Sequence, residues 1–169
     1  AAGGLEVKVV GRLVTHPLTT LLFLEKSGIR TPRDLTGRNI GYTVPGLMDV
    51  LLAAFARLNG IENYTAVNVG FTIVPSLSSG KVAAVMGPFK TYETVTLARH
   101  GYRAGFFELE EHGIPPYDEL IFVSGPRGLE DRKTALLGFS QAVQAGIDEA
   151  RKNPDAALAD YLRAVPEAD

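Results

Sequence analysis

The sequence has 169 residues, of which 46% are hydrophobic, enough to bury the core of one domain or of one lobe with part of another. Its 17 basic and 19 acidic residues are spread along the chain and leave a formal charge of -2, so no basic surface is offered to a nucleic acid. The lack of cysteine excludes thiol nucleophiles, thiolate metal sites and disulfides. It leaves the compartment open, because exported and cytosolic proteins both occur without cysteine.

The chain begins with patterns typical of β-strands. Residues 5–14 alternate and are rich in valine, and a second apolar run covers residues 21–24. Residues 31–35 predict a single capped turn, with Thr31 as the N-cap and a proline at the first helical position. A short strand is then predicted for residues 39–42.

The middle of the sequence alternates between helix and strand patterns. Each predicted helix ends at a glycine, which suits the left-handed residue that follows many helices. Such alternation is typical of a largely parallel sheet covered by helices on both faces. The predicted helices are residues 47–58, 73–77 and 89–99, the predicted strands are residues 65–69 and 82–86, and an apolar stretch covers residues 102–107.

The last third of the sequence opens with a segment that has no regular pattern. Residues 108–118 are acidic, contain Gly113 and two prolines, and predict a connection, which we interpret as a crossing between lobes. A buried strand is predicted for residues 120–123, followed by a long helix over residues 129–152. A last helix is predicted to restart at Asn153-Pro154.

The predicted elements form one complete α/β unit, flanked on each side by elements of an incomplete one. The α/β elements in the middle form a complete unit, whereas the strands before it and the helices after it lack a sheet to pack on. We therefore expect residues 1–30 to contain strands of an incomplete first lobe and the hinge, and residues 31–112 to form a complete α/β lobe. Residues 113–169 are expected to return through the hinge to the C-terminal helices of the first lobe, whose opening part would precede residue 1.

Common catalytic and metal-binding patterns are missing from the sequence. The three histidines are isolated and lack the helical spacing of zinc ligands. Gly80-Lys81 lacks the glycine and the hydroxyl that complete a phosphate-binding loop. Glu108, Glu110 and Glu111 lack the spacing of a calcium loop and are interpreted as a solvated edge. We therefore predict no catalytic residue, no metal site and no cofactor.

Three successive strand ends combine glycine with an aromatic ring and a polar side chain. In open α/β sheets, ligands bind outside the carboxyl ends of the strands, where loops expose N–H groups and helix N-termini. Glu93 stands out because a carboxylate in the first turn of a helix can accept hydrogen bonds from an amine or amidine; simple complementation of the helix dipole is the alternative. For Asp118-Glu119, ligand orientation, acid–base chemistry and structural capping all stay open. The strand ends are residues 41–46, 68–71 and 86–93.

Several segments are similar to known solute-binding proteins. Ser27-Gly28-Ile29 and residues 32–42 resemble the start of the second lobe in proteins of the thiamine-precursor and alkanesulfonate type. The resemblance covers nearly the whole chain and implies an α/β fold of the periplasmic-binding-protein-like type II class. That fold has a parallel-rich sheet with helices on both faces, here with part of a second lobe. The segments that look like the hydroxymethylpyrimidine-binding branch are Val67-Asn68-Val69-Gly70-Phe71 and residues 75–82, 85–93 and 110–120.

The resemblance implies the extracytoplasmic solute-binding component of an ABC importer. Its ligand would be a thiamine pyrimidine precursor, hydroxymethylpyrimidine or formylaminopyrimidine, held by cleft closure without chemistry. The implied partners are this aminopyrimidine and a membrane permease, and the implied location is periplasmic or lipid-anchored, with a monomeric full-length protein. The expected ligand-binding residues are Tyr42, Thr43, Val44, Gly46, Asn68, Phe71, Phe89, Glu93 and Tyr117.

An aminopyrimidine is flat and rich in directional donors and acceptors, so it needs an apolar slot with a few fixed polar groups. We expect Glu93 to accept from the amino group or to pair with a ring nitrogen, and Tyr42, Phe89 or Tyr117 to pack on the ring. The loop after Tyr42 and Asn68 are expected to provide hydrogen bonds.

The sequence departs from the family pattern at two positions, and two other functions share the fold. Ala83 replaces a usual aspartate, which we interpret as structural, and Thr91 replaces a usual asparagine, which can alter the pyrimidine that is held. One alternative is a pyrimidine synthase that has a cysteine-rich motif and spends its own histidine as substrate. The lack of cysteine disfavours it. The other is the ligand-sensing domain of a regulator, which predicts a helix-turn-helix that this sequence does not contain.

Overall fold

A computed structural model describes residues 4–167 and divides them into two compact units. The larger unit comprises residues 14–119, and the smaller one comprises residues 4–13 and 120–167. Residues 1–3 and 168–169 of the predicted segments lie outside the described residues. No helix within residues 4–167 is long and apolar enough to cross a membrane.

The strands and helices of the described residues follow one another in the order that the sequence patterns predict. In chain order they are β1 (Lys8–Val14), β2 (Thr19–Leu24), β3 (Asn39–Tyr42), α1 (Met48–Asn59), β4 (Thr65–Asn68), α2 (Ile73–Ser78), β5 (Ala84–Phe89), α3 (Glu93–Arg99), β6 (Ala104–Glu108), β7 (Leu120–Ser124), α4 (Pro126–Asp131), α5 (Lys133–Lys152) and α6 (Pro154–Ala164).

The larger unit is built on a five-stranded sheet with the order β4-β3-β5-β2-β6. β3 is parallel to β4 and β5, whereas β2 is antiparallel to β5 and β6. The predicted α/β fold class is thus confirmed, with a mixed sheet in which four strands share one direction. The predicted boundary at residue 30 differs from the division of the structure, because β2 pairs inside this sheet and belongs to the larger unit.

Helices cover both faces of this sheet. The six residues of β2 are all buried, and alternate side chains enter two separate hydrophobic clusters. A strand that is buried on both faces has a continuous apolar sequence, which explains why residues 21–24 are all apolar. Each fully buried leucine or phenylalanine side chain contributes about 1.5–3 kcal/mol. The first cluster contains Leu21 and Phe23 with Leu52 and Phe55 of α1, and the second contains Leu22 and Leu24 with Ile73 and Leu77 of α2 and Leu97 of α3.

Local capping patterns of the sequence are present in the structure. The Asp34 carboxylate accepts hydrogen bonds from the backbone N–H groups of Arg30 and Thr31 at 2.9 and 2.8 Å, and these bonds lower the pKa of Asp34. Gly60 ends α1 with a left-handed backbone at φ 64. The third predicted helix, in contrast, begins at Glu93 rather than at residue 89, because Phe89 pairs with Thr19 and extends β5.

The smaller unit consists of a two-stranded sheet, β1-β7, and helices α4 to α6. The prediction of a buried strand over residues 120–123 was wrong in its burial: Leu120, Ile121 and Val123 are 40%, 42% and 51% exposed. Among the described residues β7 pairs with β1 alone, so it is not enclosed by a sheet. The single helix predicted over residues 129–152 is two helices, because Arg132 leaves the helical backbone at φ -129.

Gly87 allows the close approach of β5 to the loop after β3. It has φ 125, a conformation that side chains rarely adopt, and a Cβ added there would collide with the Thr43 side chain. We expect Gly87→Ala to lower the free energy of unfolding by roughly 3 kcal/mol or more, measured by urea denaturation.

Gly28→Ala is the matched control for that substitution. Gly28 also has a positive φ of 72, but a Cβ there meets nothing within 4 Å. The control should cost about 1–2 kcal/mol, from backbone strain alone. Equal losses in the two variants would contradict a steric role of Thr43 at Gly87.

Candidate ligand-binding site

The ends of several strands meet at one edge of the five-stranded sheet, which we call the carboxyl edge. Parallel pairing sets Tyr42, the last residue of β3, beside Asn68, the last residue of β4, and beside Met86 of β5. Because β2 runs in the opposite direction, its amino end reaches the same edge, where Thr19 pairs with Phe89. The carboxyl edge thus includes residues 41–46, 68–71 and 86–93, joined by residues 17–20 and 117–119.

Glu119 holds the amino end of β2 at the carboxyl edge. Its Oε2 accepts hydrogen bonds from the backbone N–H groups of Leu18 and Thr19, both at 2.9 Å, and its Oε1 accepts one from the Thr19 hydroxyl at 3.1 Å. Thr19 is 1% exposed, so the carboxylate satisfies donors that water does not reach. Of the roles that the sequence left open for Glu119, this geometry supports structural capping.

Tyr117 is tied to the same carboxylate. Its hydroxyl donates to Glu119 Oε2 at 3.3 Å. Burial, together with the negative charge of Glu119, raises the pKa of Tyr117 to about 12, so the phenol stays protonated at neutral pH. The ring lines a cavity of about 380 Å³ whose remaining lining residues are Leu47, Met48, Leu51, Asp118 and Glu119.

Glu93 folds back onto the end of β5. Its Oε2 accepts a hydrogen bond from the Phe89 N–H at 2.6 Å. As the first residue of α3, it also lies where a helix favours a carboxylate. Within residues 4–167 the other oxygen of Glu93 has no hydrogen-bond partner, so the side chain has a structural bond and one acceptor to spare.

The acidic residues that follow β6 have separate partners. Lys90 Nζ lies 2.6 Å from Glu108 Oε2, and the pair is half-buried. Glu110 Oε1 lies 3.4 Å from His16 Nδ1 in an exposed contact. The part of the chain that the structure describes contains no group of three histidine, aspartate or glutamate side chains placed to hold a metal ion.

Four of the predicted ligand-binding residues are half-buried at the carboxyl edge: Tyr42, Phe89, Glu93 and Tyr117. Tyr42 and Tyr117 pack against the hydrophobic cluster that contains α1. Thr43 is 6% exposed, and its N–H donates to the Met86 carbonyl at 3.2 Å. Thr43 therefore helps to hold the loop after β3 against β5.

The other predicted residues lie in the exposed parts of the loops. Asn68 Oδ1 accepts a hydrogen bond from the Gly70 N–H at 3.0 Å and thereby closes its own turn. Phe71 is 83% exposed and Val44 is 38% exposed. Gly46 has φ 79, the left-handed conformation that suits glycine before a helix. The roles of all these positions toward a ligand stay predictions.

Sequence reasoning missed several residues of the carboxyl edge. Thr19 received no role, although two threonines at the start of an otherwise apolar strand could have indicated a polar edge. The α1 residues that line the 380 Å³ cavity were read as ordinary helix positions. Asp49, in the first turn of α1, was also passed over; its Oδ1 is the one buried side-chain polar atom within residues 4–167 that has no hydrogen-bond partner.

A second concavity, of about 610 Å³, lies at the opposite edge of the sheet. Lys26 and Arg38 line it together with three serines. The serine hydroxyls donate to backbone carbonyls and so have no proton left for a ligand. The carboxyl edge is therefore the better organised of the two sites.

The architecture of this chain defines one fold class, the α/β fold of the periplasmic-binding-protein type. The structure resembles the crystal structure of the periplasmic aliphatic sulphonate binding protein SsuA from Escherichia coli, with a TM-score of 0.76 and 15% identity. The match covers 96% of this chain and 55% of that one. The chain belongs to the NMT1/THI5-like family, whose sequence profile matches residues 1–157.

Curated relatives agree with this family and confirm the resemblance seen in the sequence. A thiamine biosynthesis protein of Haemophilus influenzae is 34% identical over 98% of this chain and 52% of its own length. A formylaminopyrimidine-binding protein of Halalkalibacterium halodurans is 30% identical over 91% of this chain and 47% of its own length. A 4-amino-5-hydroxymethyl-2-methylpyrimidine phosphate synthase of Uromyces fabae is 26% identical, with coverages of 98% and 52%. The chain thus spans about half the length of these relatives.

The bonds of Glu119 predict a large effect on stability. Glu119→Ala should lower the free energy of unfolding by about 2–4 kcal/mol, because it leaves the donors of Leu18 and Thr19 unsatisfied. Glu119→Gln should cost less, since an amide oxygen still accepts from both N–H groups. Glu111→Ala, at an exposed site, should stay within about 0.5 kcal/mol of the parent. Urea denaturation measures the free energy of unfolding of all three variants. An unchanged value for Glu119→Ala would contradict the capping role.

The raised pKa of Tyr117 predicts a loss of stability at alkaline pH. An unfolded tyrosine ionises near 10.0, whereas folded Tyr117 ionises at about 12, so the unfolded state binds fewer protons between these values. The free energy of unfolding should therefore fall as the pH rises from about 10 to about 12. The free energy of unfolding of Tyr117→Phe should fall less steeply with pH than that of the parent. Tyr92→Phe changes a 67% exposed site and should show the same slope as the parent. Identical slopes for all three proteins would show that folding does not raise the pKa of Tyr117.

Proposed function

We propose that the chain is part of the solute-binding protein of an ABC importer and that its ligand is a thiamine pyrimidine precursor. The carboxyl edge carries this proposal, because it combines half-buried aromatic rings with the spare carboxylate oxygen of Glu93. Membership of the NMT1/THI5-like family supports it, as does the name of the formylaminopyrimidine-binding relative. Hydroxymethylpyrimidine and formylaminopyrimidine are the two proposed ligands.

The proposed contacts follow from the chemistry of an aminopyrimidine ring. The ring is flat, so Tyr42, Phe89 or Tyr117 packs on one of its faces. Its exocyclic amino group donates to Glu93, while the loop after Tyr42 and Asn68 supply further hydrogen bonds. This arrangement binds the ring and leaves it unchanged, since the edge presents neither an activated nucleophile nor a base directed at a reacting atom.

In the proposed transport cycle, the complete protein closes around the pyrimidine and presents one closed form to a membrane permease. We assign the larger unit, residues 14–119, to one lobe, and we assign residues 4–13 and 120–167 to the hinge and the other lobe. The proposed location is periplasmic or lipid-anchored outside the cytoplasm, and the proposed full-length protein is a monomer.

A pyrimidine phosphate synthase is the second candidate function, because relatives with that name align over most of the chain. The histidines argue for binding instead. His112 packs against Phe55 and Phe107, with ring centroids 5.6 and 5.1 Å away, and His100 bonds to the Thr96 carbonyl at 2.8 Å. None of the residues that line the 380 Å³ cavity is a histidine. Intact-mass measurement of the protein purified from thiamine-starved cells separates the two functions, since a synthase that spends its own histidine to make the pyrimidine loses mass and a binding protein keeps the mass of its sequence.

Glu93 gives the proposed function a direct test by calorimetry with hydroxymethylpyrimidine and formylaminopyrimidine. Glu93→Gln should weaken binding by about 1.5–3 kcal/mol, roughly 10- to 150-fold in Kd, because it removes a charge-assisted hydrogen bond. Glu111→Gln, on the exposed segment after β6, is the matched control and should keep the parent affinity. Unchanged binding by Glu93→Gln would remove its role, and failure of the parent protein to bind either pyrimidine would contradict the function.

A further inference from the structure

The hydroxyl of Tyr117 differs from the other polar groups of the carboxyl edge in how its proton is used. A phenol has one proton to donate and lone pairs that accept. The proton of Tyr117 is donated to Glu119 Oε2 at 3.3 Å. A tyrosine that faces a cavity can ordinarily donate to a ligand or accept from it, so the fate of this proton decides which ligand atoms Tyr117 recognises.

Glu119 cannot reverse the direction of that hydrogen bond. The same oxygen already accepts from the N–H groups of Leu18 and Thr19, and the second oxygen accepts from the Thr19 hydroxyl. Three donors thus occupy both oxygens of Glu119, so this side chain acts as an acceptor. Tyr117 must donate to it, so the phenolic oxygen meets any further partner as an acceptor, with the Thr19 side chain on one side of it and the cavity on the other.

The remaining wall of the cavity is mainly apolar. Leu47, which precedes α1, and Met48 and Leu51 of its first turn line the same space as Tyr117. Asp118 and Glu119 are the other lining residues. Apolar neighbours strengthen the effect of each polar group, because a ligand atom with the wrong polarity loses its water and gains no partner.

We infer that Tyr117 is a specificity-determining residue that accepts a hydrogen bond from an N–H group of the ligand and rejects a carbonyl oxygen at the same ring position. The inference rests on the proposed function, and it names a residue that selects the amino-substituted ring. An oxo-substituted ring of the same shape would set its oxygen against the lone pairs of Tyr117.

The test compares two rings that differ at one position, 4-amino-5-hydroxymethyl-2-methylpyrimidine and its 4-oxo analogue, by calorimetry. The parent protein should prefer the amino ring by at least about 10-fold. Tyr117→Phe should reduce this preference at least about 3-fold relative to the parent, because it removes one acceptor and keeps the ring, while Glu93 keeps its own share of the preference. Glu119→Gln should retain the preference, because its amide oxygen can still accept the Tyr117 proton and both N–H groups.

Tyr64→Phe is the matched control, since Tyr64 packs against the same hydrophobic cluster and does not line the cavity. It should keep both affinities. An equal affinity of the parent for the two rings, or a full preference in Tyr117→Phe, would overturn the inference and leave the proposed function standing. Binding of neither ring by the parent would contradict the proposed function and the inference together.

Discussion

The burial of β2 at the centre of the sheet is the constraint on which the larger unit depends. This strand lies between β5 and β6, and each of its residues is buried. A strand in that position must satisfy every backbone and side-chain polar group without water. At its amino end, Glu119 bonds to Leu18 and Thr19, and the Thr20 hydroxyl donates to the Pro88 carbonyl at 3.0 Å.

The same constraint builds the candidate site. Because β2 opposes its neighbours, Thr19 and Glu119 lie at the edge where β3, β4 and β5 end. Tyr117 is held by Glu119, and Glu93 is held by the end of β5 through Phe89. The side chains proposed to contact the ligand are therefore fixed by bonds that also stabilise the fold, which restricts their motion before a ligand arrives.

Local signals of the sequence predicted the fold better than they predicted the site. The Thr31 cap, the Gly60 helix end and the alternation of strands and helices each depend on neighbouring residues, so their pattern is visible along the chain. The direction of β2 is not visible in this way, because a strand buried on both faces has the same apolar pattern in either direction. The partnership of Glu119 with Thr19 joins residues that are 100 positions apart, and nothing in either local pattern indicates it.

The exposure of β7 shows a second limit of prediction from sequence patterns. Its run of apolar residues predicted a buried strand, but composition records only that a side chain is apolar and not what covers it. Within residues 4–167, β7 pairs with β1 alone and keeps exposed side chains. Phe122 is partly covered, because its ring packs edge-on against the ring of Phe139, with the two ring centroids 4.9 Å apart.

Chemistry at the carboxyl edge separates ligands that the fold alone does not. A sulfonate is a permanent anion and needs cations or several N–H donors, whereas two side chains at this edge, Glu93 and Tyr117, offer acceptors. Glu93 has a spare carboxylate oxygen, and Tyr117 has spare lone pairs because Glu119 takes its proton. The nearby cation, Lys90, is already neutralised by Glu108 at 2.6 Å. An edge with these acceptors suits the neutral, N–H-bearing ring of the proposed function.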